Sequence, residues 1–233
     1  MSVLTKFSLV AVVAATAVAT SASAAVVAGW TITTAFPTGV GNVPTGVTYT
    51  VGAANEGLQT TGSELRSVHS LAAATYTSPA GNGSQYAFSS NNWSTGDFYE
   101  ARLSTLGYSD ISISWDQTRS STGPATFELV MSTDGGANFT TLLASYTVLQ
   151  SGGGGAPGTW SSTTYNPIYS LNQAAAAADN QANVIFRFRS LAGGAATGSN
   201  RIDNVMIYSG PVPAPGAIAL LGVAGLAGLR RRR

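Results

Sequence analysis

The sequence predicts an all-β fold, a jelly-roll-like antiparallel β-sandwich, flanked by an apolar N-terminal segment and a short C-terminal hydrophobic helix. Three observations lead there. Short apolar or alternating runs recur along the middle of the chain, separated by glycine, serine, threonine and asparagine, which is the spacing of a sandwich. Two of these runs keep a period of two: Ile111, Ile113 and Trp115 alternate with Ser112 and Ser114, and Val184, Phe186 and Phe188 alternate with Ile185, Arg187 and Arg189. That period buries one face and wets the other. Cysteine is absent, so neither a disulfide framework nor thiolate ligation holds the chain together.

Residues 1–24 read as a secretory signal. Lys6 supplies the charged start, residues 9–19 are almost wholly apolar, and Ala22-Ser23-Ala24 is a small-residue cleavage site, with cleavage expected after Ala24. Residues 25–209, about 185 in number, then form one domain. Its best strands are expected at 97–103, 110–117, 125–132, 139–148, 183–190 and 201–208, with weaker ones at 26–34, 85–90 and 159–165. The alanine run makes 171–179 the one expected helix, a short crossover. The glycine-rich stretch 151–158 reads as a flexible loop.

Residues 210–233 form a three-part tail. Pro213-Ala214-Pro215 forbids helix entry before Gly216. The apolar run that follows, 216–229, makes a helix of roughly 21 Å at 1.5 Å per residue, shorter than the ~30 Å hydrocarbon core of a bilayer. Arg230, Arg231, Arg232 and Arg233 end the chain and hold that end in the cytoplasm. The order of proline motif, short apolar helix and arginine cluster resembles the PEP-CTERM sorting signal, with Ala214 where that family has glutamate. The resemblance implies recognition by an exosortase, a membrane transpeptidase, and a body that is tethered outside the cytoplasmic membrane and then released into the envelope or matrix.

The overall charge of +1 conceals an acidic middle, because Lys6 and the four terminal arginines lie outside it. Within it six arginines face ten acids, a balance of −4, and there is no lysine. Nucleic acid is therefore not an expected partner. No phosphate loop or dinucleotide fingerprint is present. His69 is the only histidine, which excludes a metal site of several imidazoles; it reads as a polar surface or loop residue.

Ser132-Thr133-Asp134-Gly135-Gly136-Ala137-Asn138-Phe139 resembles the Asp-box hairpin. Ser132, Asp134, Gly136 and Phe139 are expected to build a structural turn, with Asp134 bonding amides of its own loop and Phe139 packing beneath. Arg201-Ile202-Asp203-Asn204-Val205-Met206-Ile207 looks like the closing strand of jelly-roll modules, in which an aspartate holds a structural calcium. Calcium takes six to eight oxygens. Asp203 offers one, with Glu56 or Glu64 joining it if the termini pair; the alternative is that Asp203 bonds Arg201 or nearby amides.

Sugars stack on indole and phenol faces, so Trp93, in the polar stretch 89–96, is either a cap on the sandwich or a stacking platform, with Tyr99 beside it. Tyr165 and Tyr169 form a weaker aromatic patch. Glu100, Arg102, Arg119 and Glu128 read as exposed ion pairs, and a glycosidase pair of carboxylates is the less favoured reading. The central segment as a whole is similar to the jelly-roll ectodomains attached to PEP-CTERM tails. That similarity implies an exported, non-catalytic envelope or exopolysaccharide-matrix protein, the alternative being a carbohydrate-binding module for matrix polysaccharide.

Overall fold

The computed structural model describes residues 24–36, 43, 44, 46, 48–152 and 158–210. Nearly all of the secretion segment and the whole proline, apolar and arginine tail from residue 211 onward therefore lie outside the described residues. The strands are β1 (Ala25–Trp30), β2 (Val43–Pro44), β3 (Thr48–Gly52), β4 (Glu64–Val68), β5 (Thr75–Thr77), β6 (Phe88–Ser90), β7 (Phe98–Leu103), β8 (Ile111–Arg119), β9 (Thr126–Ser132), β10 (Thr140–Thr147), β11 (Ser170–Ala174), β12 (Val184–Ser190) and β13 (Asn200–Ser209).

They form two antiparallel sheets. One runs β11-β8-β13-β6-β5-β2, with β1 also on β13; the other runs β10-β9-β12-β7-β4-β3. The central strand of the first sheet serves three neighbours. β13 pairs along its length with β8, while its beginning pairs with β6 and its end with β1. Because β1 and β13 pair, the two ends of the domain lie side by side.

The alternating residues fall where a period of two sends them. Ile111, Ile113 and Trp115 point inward from β8, and Val184, Phe186 and Phe188 from β12, all buried in one core with Trp30, Phe88, Tyr99 and Phe127. Rings bridge the layers: Trp115 meets Phe188 at 5.1 Å between centroids, and Phe88 meets Tyr99 at 5.2 Å. Such pairs add about 0.5–1.5 kcal/mol beyond area burial. The opposite face of β12 is not uniformly wet, since Ile185 is buried there at the foot of the 132–139 hairpin, where a Cβ on Gly136 would lie 3.3 Å from Ile185 Cδ1.

Two expectations are corrected. Residues 171–179 do not form a helix; β11 pairs Ser170–Ala174 with Ser112–Asp116, and only Ala176–Ala178 make a single 3-10 turn. Alanine's helix preference is a fraction of a kcal/mol per residue, and the open edge of β8 offers a ladder of hydrogen bonds instead. The stretch 159–165 is loop, its Trp160 buried with Ala87 and Tyr169 in a satellite cluster.

The ladder between β13 and β8 breaks between Asp203 and Met206. Asn204 takes up the extra residue at a φ of +47°, a left-handed conformation that asparagine tolerates better than most residues. This bulge positions the polar groups described next.

Candidate functional site

Of the two readings of Trp93, cap or stacking platform, the structure shows the cap, and both Trp93 and Tyr99 are inside the protein. Trp93 caps the end of the sandwich, its Nε1 donating to Ser90 O at 2.9 Å, its ring against His69, Tyr99 and Phe127. Tyr99 is wholly buried and donates to Asn200 O at 2.7 Å. Neither presents a face to solvent. A short polar loop does not mean an exposed indole when the open end of a sandwich needs covering. Of the weaker patch, Tyr169 is buried and Tyr165 is 46% exposed.

The calcium expectation divides. Glu64 lies on β4 in the other sheet and accepts from the Thr50 hydroxyl at 2.9 Å, while Glu56 accepts from the Thr31 hydroxyl at 2.7 Å. Neither meets Asp203. Its neighbour is Asp116, directly opposite it in the β8–β13 register. Both carboxylates are buried and bonded by neutral donors. Asp203 Oδ2 accepts from the Asn82 amide and the Ser84 hydroxyl. Asp116 accepts from the side chains of Asn82, Asn204 and Ser170. Burial pushes Asp203 up to about 6 and raises Asp116 as well. Asp203 Oδ1 is buried without a hydrogen bond, and Arg201, though two residues away, bonds neither acid. Among the described residues no cluster of three or more metal-ligating side chains forms; what this pair would offer a hard cation is the carboxylate oxygens of Asp203 and Asp116, with Asp203 Oδ1 the one left without a hydrogen bond.

Arg201 instead faces a groove on the outside of the same sheet. The groove has a volume of about 290 Å³ and is lined by Thr75, Thr77 and Pro79 from β5 and its exit, by Ser89, Ser90 and Asn91 around β6, and by Thr197, Ser199 and Arg201. Thr77 and Ser89 are cross-strand partners, as are Ser89 and Arg201, so their side chains share that face. Among the described residues, the Arg201 guanidinium makes no ion pair or hydrogen bond, and neither do the hydroxyls of Thr77, Ser89, Thr197 and Ser199. Burial lowers the Arg201 pKa, and among the described residues no acid lines the groove to oppose that.

The outer face of the second sheet carries the remaining charges. Glu100 is fully buried and bonded by three arginines. Arg66 Nη2 approaches at 2.8 Å, Arg187 forks to Oε2 through Nε at 2.8 Å and Nη2 at 2.6 Å, and Arg102 Nε donates from the same strand. Burial opposes the charge on Glu100, but the arginines outweigh it and hold its pKa below the ordinary value. Arg189 pairs with Glu128, and Arg119 is turned away onto the carbonyls of Val148, Ser120 and Ser121. The hairpin at 132–139 closes on itself, with Asp134 Oδ1 accepting from the Asn138 amide at 3.0 Å and from the Ser132 hydroxyl at 2.7 Å. The Gly136 amide donates back to Ser132 Oγ. Its Phe139 ring then lies 4.1 Å from the Arg187 guanidinium, which has Phe98 on its other side at 3.9 Å.

His69, expected as a polar surface or loop residue, does sit in the loop that follows β4 but is buried there. Its Nε2 lies 3.1 Å from Ser90 Oγ and its Nδ1 3.2 Å from Asp97 Oδ2. The order serine, histidine, aspartate is that of a hydrolase triad. Here, however, Ser90 Oγ is inside and also bonds Tyr99 OH at 3.1 Å, so no substrate carbonyl reaches it.

No known protein family and no curated protein matches the chain. Among solved structures it is similar to the carbohydrate-binding and catalytic modules of xylanase 10B from Clostridium thermocellum, at 17% identity and a TM-score of 0.40, over 59% of this chain and 25% of that one. It is also similar to the K3 adhesin domain of Lys-gingipain from Porphyromonas gingivalis, at 20% identity and 0.37, over 57% and 78%. A third is the xylan-binding domain of a Paenibacillus barcinonensis xylanase, at 8% and 0.35, over 71% and 95%. The chain thus spans a quarter of the xylanase structure. Similarity this distant leaves function to the chain's own geometry.

Sequence reasoning missed Asp116, Asn82 and the groove. Asp116 sits in a run that reads as core strand, and its distance of 87 positions from Asp203 becomes a contact only through register.

Proposed function

We propose that this is an exported, non-catalytic envelope protein whose sandwich holds extracellular polysaccharide on the outer face of the β5, β6 and β13 strands. The observation that carries the reading is the polar groove at Arg201, in which a guanidinium and four hydroxyls are left without partners among the described residues. Sugars are recognised by such planar polar groups and hydroxyls, and the volume is at the low end of the ~300–1,000 Å³ of small-molecule sites, which suits one pyranose ring of a longer chain. Export is supported by the basic, apolar and small-residue order of residues 1–24, and sorting by an exosortase-type transpeptidase is supported by the tail from Pro213 to Arg233. Calcium, held by Asp203 and Asp116, would act as a structural ion beneath the loop that carries Asn82.

A glycan array with the mature protein tests the binding. Ser89→Trp, which fills the groove, is expected to abolish the signal, and Tyr165→Ala to leave it intact. Binding that survives Ser89→Trp would move the site elsewhere. Mass spectrometry of the extracellular protein tests export and sorting: the expected chain begins at Ala25 and lacks Arg233.

A purely structural role is the second reading. It is favoured by the burial of Trp93 and Tyr99, which removes the aromatic platform that many sugar-binding surfaces use, and a well-folded protein that binds no glycan would establish it.

A further inference from the structure

We infer that the groove selects an acidic sugar, with Arg201 forking to the carboxylate of a uronate residue while Thr77, Ser89 and Ser199 meet its ring hydroxyls. This deepens the polysaccharide-binding reading and rests on it.

The argument starts from the six arginines of the domain. Five are accounted for within the protein: Arg66, Arg102 and Arg187 on Glu100, Arg189 on Glu128, and Arg119 on backbone carbonyls. Arg201 is the exception among the described residues. A partly desolvated guanidinium without an anion loses hydration and gains nothing in return, so an incoming carboxylate repairs a deficit that exists before binding. Arginine's planar fork matches a carboxylate with two parallel N–H···O bonds, and charge-assisted bonds are roughly twice as strong as neutral ones. A neutral hydroxyl cannot compensate in the same way.

The surroundings support the choice. Among the described residues no acid lines the groove to compete with a ligand carboxylate. The rest of the domain is acidic and lacks lysine, so a polyanion is not drawn in by a general positive field. Recognition must come from the single guanidinium and its hydroxyl neighbours, which favours one carboxylate per bound ring over a dense anionic track.

Calorimetry of the mature protein against polygalacturonate, its methyl-esterified form and dextran sulfate tests this. The free-acid polymer is expected to bind at least about tenfold more tightly than the ester. Arg201→Gln should erase the difference, and Arg201→Lys should keep part of it. Because Arg201 bonds no other described residue, both variants should melt as wild type does. Should Arg201→Gln fail to fold, Thr77→Trp closes the groove from β5 and should abolish binding with Arg201 intact. Equal binding of acid and ester, unaffected by Arg201→Gln, overturns the acidic ligand while leaving polysaccharide binding standing. Dextran sulfate bound as tightly as polygalacturonate overturns carboxylate recognition in favour of general anion capture. No binding to any polymer overturns both readings.

Discussion

Asp203 and Asp116 face each other in a dry setting with neutral donors only, and a bound cation would remove the cost of their charges. Calcium at a free concentration 100 times its dissociation constant would stabilise the fold by about 2.7 kcal/mol, a rise of roughly 5–10 °C in melting temperature for a domain of this size. Differential scanning calorimetry with calcium and with EDTA measures it. Asp203→Asn is expected to keep the Asn82 and Ser84 contacts, remove the buried charge and abolish the calcium response; an unchanged response would place the ion elsewhere. Glu100 behaves in the opposite sense. Three arginines hold its folded pKa below the unfolded one, so the unfolded state binds more protons as pH falls, and the stabilisation is present above the ordinary carboxylate range and lost on acidification through it. Asp97 adds to this: burial opposes its charge, but the bond from His69 and the amides of Ser94 and Ser70 lower its pKa. Urea unfolding is expected to show stability dropping between about pH 5 and pH 3. Glu100→Gln, which strands three arginines, should cost about 3 kcal/mol at neutral pH and flatten that slope.

At the scale of the element, the bulge in β13 does most to arrange the candidate groups. Asn204 spans it at positive φ and donates to both Asn82 O and Asp116 Oδ2. Asn204→Ala loses both bonds and strains the backbone, for an expected loss of about 2 kcal/mol. Asn204→Gly relieves the strain alone and should recover about half; equal losses in chemical denaturation would show that backbone conformation is irrelevant there. The sequence made the strongly alternating strands legible, β8 and β12 above all, because their inward residues are large and their outward ones polar. It left β3, β4 and β5 unread, since Thr48–Gly52, Glu64–Val68 and Thr75–Thr77 are only five, five and three residues long, too short for their alternation to stand out. The strand β11 was misread because its alanines speak for helix and only the free edge of β8 speaks against it. Within the candidate site, Asp203 was legible from its place in the last strand. Asp116 was not, because a partner across a ladder is chosen by register, and the bulge that sets this register has no local signature stronger than one asparagine.

At the scale of the whole molecule, the two sheets place their large aromatic residues in the shared core and leave polar faces outside. On one outer face the arginines are paired within the Glu100 network or with Glu128, and on the other Arg201 has no ion-pair partner among the described residues. That asymmetry argues for binding on the β5, β6 and β13 side. The pairing of β1 with β13 sets both ends of the domain together, so the segments proposed for export and for sorting join it at one place. The most direct measurement is backbone amide NMR of the mature protein during titration with oligogalacturonate. Shifts confined to Thr75–Thr77, Ser89–Asn91 and Thr197–Arg201 are the result this account predicts; shifts centred on the Glu100 face, or none at saturating oligosaccharide, would contradict it.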